Sequence, residues 1–282
     1  MLAAKSPDSL AGLRYPMLAT PKLDGIRCLI VNGTPVTRKF LPLPNVWARQ
    51  KLAELPSGLD GELMIKDCSF NPIQSKFMSR AGEIPEMEYW VFDYFEHPHY
   101  NYEYRCGELA DVCKVLPEWV KPILPTMILL EQRLLEYEQA CLDNHYEGVI
   151  FRHPGGPYKC GRSTLLEQYM VKLKRFTDME VTVIGFEEMM HNTNEKERDE
   201  FGMAKRSKAL AGMEPAGCLG KLIVQSNEGV EFKVGTGFTQ ADRKSIWLSK
   251  DLYIGKTATI KYQKHGMKDK PRIPVFKCWR ED

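Results

Sequence analysis

No run of more than four consecutive apolar residues occurs in the 282-residue sequence, too short for the roughly 20 residues of a transmembrane helix. Met1 to Leu13 holds Lys5, Pro7 and Asp8 and lacks the apolar stretch of about 7–15 residues that marks an export signal. The expected location is the cytoplasm, or the host cytoplasm for a viral source. No Cys-x-x-Cys motif is present: Cys28, Cys68, Cys106, Cys113, Cys141, Cys160, Cys218 and Cys278 are scattered through apolar contexts. That excludes a disulfide framework and the usual zinc spacings. His97 and His99 lie near Cys106 but fit no standard ligand pattern, so each cysteine is expected to be a small, reduced core residue. Neither charge dominates. Thirty-nine basic residues face 37 acidic ones, for a net charge of +2, which excludes binding by bulk charge alone but not a local basic face. Gly-x-x-x-x-Gly-Lys-Ser/Thr and Gly-x-Gly-x-x-Gly are both absent, removing the two common phosphate cradles. There is no internal repeat and no low-complexity tract.

What remains is an ordinary globular composition, 43% hydrophobic, 10% aromatic and 27% charged, sufficient to bury a core. At about 150 residues per domain the length predicts roughly two domains. Residues 17–31 read as a strand pair broken by a turn, and Asn32-Gly33 is the strongest hairpin signal. Strands are expected at Leu59 to Ile65, Tyr89 to Phe95, Gly148 to Arg152 and Tyr169 to Lys174. Helices are expected at Val46 to Leu55 behind an Asn45 cap, Glu103 to Leu116 and Glu131 to Asn144. Without βαβ alternation this half predicts antiparallel α+β. From about 176 onward, strands at Val181 to Phe186, Leu222 to Gln225, Val230 to Val234 and Thr257 to Tyr262, with one helix at Gln240 to Ser249, fit a small OB-type barrel. The charged stretch Glu187 to Gly217 reads as a long loop, too long for a simple hairpin connection.

Chemistry-bearing residues recur in short clusters. Lys22-Leu23-Asp24-Gly25-Ile26-Arg27 lies at a strand end. Asp60-Gly61-Glu62 sets two carboxylates on one strand face. Trp90, Phe92 and Tyr94 share a face opposite Asp93; Glu147, Val149 and Phe151 are expected to share another. Lys172 and Lys174 share a third, as a solvated face or a phosphate clamp. Together they make a complete set for covalent phosphoryl chemistry. A lysine with its pKa lowered from about 10.4 is a nucleophile toward phosphorus. Asp60, Glu62 and Glu147 offer hard oxygens for Mg²⁺ or ribose hydroxyls, while Arg27, Lys172 and Lys174 offset phosphate charge. Phe92 offers a flat face to a purine.

In this order, Lys22-x-Asp-Gly-x-Arg27, Asp60-Gly-Glu62, Trp-Val-Phe92-Asp-Tyr, Glu147-Gly-Val-Ile-Phe-Arg152 and Lys172-Leu-Lys174 resemble nucleotidyltransferase motifs I, III, IIIa, IV and V of the ATP-dependent DNA ligases, specifically their minimal, viral type. The resemblance implies an α+β nucleotidyltransferase (adenylation) domain at 1–175 with mostly antiparallel sheets. An OB-fold β-barrel domain at 176–282 would follow, with a latch-like insertion near 187–217. It implies that Lys22 is the adenylylated nucleophile, with Asp24 fixing its turn. Arg27 and Glu62 would contact ribose or the nick, Phe92 would stack on adenine, and Glu147, with Asp60 as a weaker candidate, would hold the metal. Lys172 and Lys174 would contact the α-phosphate. Arg38, Arg162 and the latch segment Lys205-Arg206-Ser207 would meet DNA. The C-terminal Pro271-Arg272-Ile273-Pro274-Val275-Phe276 and Arg280 resemble motif VI, with either Arg272 or Arg280 as its key arginine. ATP and Mg²⁺, with Mn²⁺ as a substitute, are the implied cofactors, and nicked duplex DNA is the implied partner of a monomer. The helix-rich N-terminal DNA-binding domain of larger ligases is expected to be missing, because Lys22 lies so near the start. The eight cations against one acid between Lys256 and Arg280 suit a phosphate-tracking groove. The alternatives are an RNA ligase, a GTP-dependent capping guanylyltransferase, and a non-catalytic OB protein that binds nucleic acid.

Overall fold

A computed structural model describes residues 1–7, 9–198, 204–267 and 269–280. The chain divides into two compact units, Met1–Lys174 and Arg175–Asp282. In chain order the first unit contains β1 (Met17–Pro21), β2 (Ile26–Val31), β3 (Thr34–Thr37), α1 (Val46–Ala53), β4 (Leu59–Ile65), α2 (Phe70–Met78) and β5 (Met87–Tyr94). It continues through α3 (Tyr102–Cys113), β6 (Val120–Pro122), β7 (Thr126–Ile128), α4 (Glu131–Asp143), β8 (Val149–Arg152) and β9 (Val171–Leu173).

Two sheets form, in the orders β3-β2-β4-β5-β6 and β7-β1-β8-β9. All named pairings in them are antiparallel except β5 with β6. The expected pair at 17–31 is corrected here: both strands exist, but β1 joins one sheet and β2 the other, so Lys22 stands on the crossover between sheets. Asn32 and Gly33, with φ of 49° and 71°, make the two-residue turn of the β2–β3 hairpin. Asn45 caps α1 by accepting from the Ala48 amide at 2.9 Å, worth about 1 kcal/mol. One apolar core, including Ile30, Leu52, Leu63, Phe77 and Leu109, fills the space under the first sheet. A second, including Ala19, Leu134, Val149, Phe151 and Leu173, lies between α4 and the other sheet.

The second unit contains β10 (Thr177–Asn192), β11 (Lys196–Arg198), β12 (Ala204–Arg206), β13 (Met213–Ser226), β14 (Glu231–Val234), α5 (Gln240–Leu248), β15 (Thr257–Gln263) and β16 (Arg272–Trp279). Its five-stranded sheet runs β14-β13-β10-β15-β16, and Thr236 bridges to Val275, joining the chain beyond β14 to β16 at the opposite edge. Gly237 makes that approach possible. Its φ is +97°, and a Cβ there would sit 2.2 Å from the Phe276 carbonyl oxygen, while Phe238 stacks on Phe276 at 4.6 Å. Arg243 of α5 secures the same corner by donating to the carbonyls of Leu219, Gly220 and Gly235.

The expected long loop at Glu187–Gly217 is also corrected. β10 and β13 continue as a paired ribbon as far as Asn192 opposite Met213, and β11 and β12 pair beyond it. Little of the ribbon is buried, so its polar sequence resembles a loop, although ladder hydrogen bonds hold it extended. The cysteines differ from expectation as well: all eight are free thiols, but Cys160 and Cys278 are exposed. Among the described residues no helix is long and apolar enough to cross a membrane.

Candidate active site

Strand register brings the candidate residues together. β1 and β8 pair with Pro21 opposite Val149. The chain beyond continues the ladder, with the Lys22 amide donating to the Gly148 carbonyl at 2.8 Å and the Glu147 amide to the Lys22 carbonyl at 3.0 Å. Lys22 and Glu147 are therefore neighbours by backbone before any side-chain attraction acts. β9 pairs with β8, Val149 opposite Leu173, which carries Lys174 to the same corner. Gly148 is required there: its φ is +148°, and a Cβ would lie 2.2 Å from the Leu173 carbonyl oxygen. That conformation also interrupts strand alternation. Contrary to the expected shared face, Val149 and Phe151 enter the core while Glu147 faces a cavity.

The cavity holds about 330 Å³ and is lined from both sheets, by Lys22, Arg27, Glu62, Phe92, Glu147, Lys172 and Lys174 among others. This is the lower end of small-ligand site volumes. Glu147, 6% exposed, pairs through one oxygen with the Lys22 ammonium and through the other with Lys174 at 3.2 Å. Thr20, Ile150 and Lys172 form a row across β1, β8 and β9 on the cavity side. Burial and the nearby cations Lys174, Arg162 and Lys22 hold the Lys172 ammonium below its ordinary pKa.

On the facing sheet, Arg27 stands opposite Glu62 in register but reaches diagonally to Asp60, with Nε on Oδ1 at 2.9 Å and Nη2 on Oδ2 at 2.5 Å. Asp60 is fully buried and also accepts from the Tyr158 hydroxyl at 2.7 Å. Geometry therefore gives Asp60 a different task from the expected metal ligation: it orients Arg27. Glu62 and Glu147 are the carboxylates lining the cavity. Among the described residues no cluster of three His, Cys, Asp or Glu forms. Mg²⁺ needs none, since it is commonly held by one or two carboxylates plus substrate phosphates, and Glu147 with Glu62 fit that donor set.

Phe92 is the extra residue of a β-bulge. Asp60 and Gly61 on β4 oppose Asp93 and Val91 on β5. Bulges re-aim a side chain, and this ring lines the cavity with Arg27 and Arg152 at 5.7 and 5.5 Å from its centroid. Arg38 and Arg162 also line the cavity, and Arg162 donates to the Ala3 carbonyl at 2.7 Å. Asp24 lies in the β1–β2 crossover and is not among the lining residues.

The remaining candidates belong to the second unit. Arg206 donates to the carbonyls of Asn192 and Asn194, and the Ser207 carbonyl accepts from both asparagine amides, so these residues stitch the ribbon tip. Lys205 stands opposite Glu197 in β12. Arg272 opens β16 opposite Gln263, and Arg280 pairs with Glu180 at 2.9 Å. Lys277 pairs with Asp178 at 2.6 Å, so acids on β10 offset part of the C-terminal basic run. Lys268 lies outside the described residues.

Sequence reasoning passed over Arg152 as a site residue. It lines the cavity, its Nη1 is held by Asp93, and its buried Nε has no partner. Its position at the end of the Glu147–Arg152 cluster was the available sign.

Glu62 carries a pH prediction. Burial pushes its carboxyl up to about 7, against the pull of Lys22 and Arg27. Its folded-state value thus lies above the ordinary carboxylate range, and ionisation opposes folding. Wild-type stability should fall as pH rises from that range through about 7, while Glu62→Gln should not show this loss. Thermal melts of both proteins from pH 5 to 8 measure the difference.

Residues 212–280 match the family model for the DNA ligase OB-like domain. The chain is 25% identical over 262 residues to a DNA ligase of Haemophilus influenzae, covering 92% of this chain and 84% of that protein. The crystal structure of Chlorella virus DNA ligase-adenylate is 33% identical with a TM-score of 0.59, covering 100% of this chain and 98% of that one. A Lig E DNA ligase structure shares the fold, with a TM-score of 0.75 at 22% identity over 99% of this chain and 98% of that chain. Two mostly antiparallel sheets lining a lysine-bearing cavity, in a chain that continues into an OB-like domain, define a nucleotidyltransferase. The chain belongs to the DNA ligase family.

Proposed function

We propose that this ligase is ATP-dependent and seals nicks in duplex DNA by three successive transfers. The neutral Lys22 amine, its ammonium proton lost to solvent, attacks the α-phosphorus of ATP. A P–N bond forms, the bond to pyrophosphate breaks, pyrophosphate leaves, and the nitrogen gives up its second proton to solvent. The 5′-phosphate at a nick then attacks the AMP phosphorus, forming an anhydride as the P–N bond breaks and the leaving lysine nitrogen takes a proton from solvent. Finally the 3′-hydroxyl attacks the 5′-phosphate, loses its proton and expels AMP. Covalent capture splits one difficult reaction into easier steps.

The observation that carries this reading is the convergence of Lys22, Glu147 and Lys174 in a cavity of about 330 Å³ that also presents Phe92, Arg27 and Lys172. Lys172 and Lys174 offset the phosphate charge, and Phe92 offers its face to the adenine. Glu62 accepts hydrogen bonds from ribose. Glu147, with Glu62, would hold Mg²⁺ or Mn²⁺, which supplies charge neutralisation on the phosphates. Arg38 and Arg162 suit backbone contacts with the nicked strand, and the ribbon around Arg206 suits a grip independent of sequence. The protein acts on DNA as a monomer.

The test is to incubate the protein with Mg²⁺ and either ATP or GTP, weigh it by mass spectrometry, and then offer nicked DNA or nicked RNA. An AMP adduct and sealed DNA are expected. A GMP adduct, or sealing of RNA alone, overturns the reading in favour of a guanylyltransferase or an RNA ligase.

A further inference from the structure

Asp60 receives three donors on two oxygens. Arg27 supplies Nε and Nη2, and the third is the hydroxyl of Tyr158. Tyr158 does not come from the sheet that carries Arg27 and Asp60. It lies beyond β8, at the root of the segment bearing Lys159 and Arg162, and is 7% exposed. Phe95 stacks on its ring at 4.7 Å, its amide donates to the Pro98 carbonyl at 2.7 Å, and the Arg105 guanidinium lies 5.7 Å from its ring centroid. A phenol fixed on every side is a rigid peg. The final torsion of an aspartate is broad by itself, so Arg27 alone would leave the Asp60 carboxylate free to swing with the guanidinium as a unit.

We infer that Tyr158 is a positioning residue for nucleotidyl transfer, aiming Arg27 into the cavity by pinning the Asp60 carboxylate. The inference rests on the proposed function and adds a residue to it. It also links the Tyr158–Ser163 segment physically to the cavity, because Arg162, four residues on, lines the same space.

Tyr158→Phe keeps the ring and its stack on Phe95 while removing only the hydroxyl. Measured with ATP and Mg²⁺, the second-order rate constant for adduct formation should fall about tenfold, with the melting temperature changed by no more than a few degrees. A structural role alone would slow every background equally, so the same substitution is made in Arg27→Lys, which lacks the two-pronged contact. There its effect should shrink to less than twofold, and ATP affinities of the four proteins provide an independent cycle. A Tyr158→Phe rate within twofold of wild type overturns the inference, as does an equal loss in both backgrounds. Absence of an adduct in the wild type overturns the proposed function, and this inference with it. An adduct in wild type with an indifferent Tyr158→Phe overturns the inference alone.

Discussion

Lys22→Ala should form no AMP adduct and seal no nicks, a loss on the order of 10⁴-fold or more, as expected when a covalent nucleophile is removed. The fold should survive. Lys22 is 22% exposed, and Glu147 keeps its second partner, Lys174. Binding to nicked DNA should therefore stay within about threefold of wild type, because backbone contacts rather than the nucleophile dominate such affinity. Lys22→Arg separates charge from nucleophilicity. It preserves a cation opposite Glu147 but is never neutral near pH 7, so it too should form no adduct. Intact-mass measurement after incubation with ATP and Mg²⁺ reads both variants. An adduct on either protein would remove Lys22 from the role of nucleophile.

That Lys22 could be singled out, while the arrangement around it could not, follows from which interactions are local. The Asn32-Gly33 turn, the Asn45 cap and the bounds of β4 depend on neighbouring residues, and all three are legible in the sequence. So are Lys172 and Lys174, which stay on the cavity side by simple alternation. Sheet membership is a tertiary property. Nothing between Pro21 and Ile26 states that β1 and β2 part company, yet that separation puts Lys22 at the mouth of a cavity. The expected Glu147–Val149–Phe151 face failed because Gly148 breaks the alternation at its first step. Asp60 resembled a metal ligand because its engagement depends on Arg27 reaching diagonally and on Tyr158 arriving from the segment beyond β8.

The second unit shows the same division. Thr239 and Asp242 form a reciprocal capping box on α5, and the helix was legible from local pattern. β16 was not, because Pro271 and Pro274 argue against a strand; it occupies a sheet edge, where proline is tolerated. The β10–β13 ribbon was hidden for a different reason. Period-two burial is what identifies a strand in sequence, and an exposed ribbon has almost none.

Asp93→Ala should produce the largest loss of stability. Asp93 is fully buried, and its partners Arg105 and Arg152 are 1% and 2% exposed. Arg105 donates Nε to Oδ1 at 2.8 Å and Nη2 to Oδ2 at 3.2 Å, while Arg152 binds Oδ2 through Nη1. Burial pushes the Asp93 carboxyl up, but the two guanidinium groups outweigh it and hold the carboxyl below the ordinary range. Its stabilisation is therefore present above that range and lost as pH falls through the depressed value. Removing the carboxylate leaves two buried cations without their shared counter-charge, a change that costs about 3–5 kcal/mol in comparable buried pairs. At roughly 2–4 °C per kcal/mol for a unit of this size, the melting temperature of the first unit should drop by on the order of 10 °C. Function should fall too, since Arg152 lines the cavity and has its guanidinium 4.5 Å from the Tyr102 ring centroid and 5.5 Å from that of Phe92. Released from Asp93, it has no reason to keep that pose. Calorimetry across a descending pH series, from neutral to below the ordinary carboxylate range, distinguishes this account from simple cavity formation. A buried charge triad predicts that the difference between wild type and Asp93→Ala shrinks once the pH falls below the ordinary carboxylate range, where the unfolded chain takes up the proton that the folded carboxylate resists. A void predicts a constant difference, and a loss below about 1 kcal/mol would show that the triad does not hold the two arginines in place.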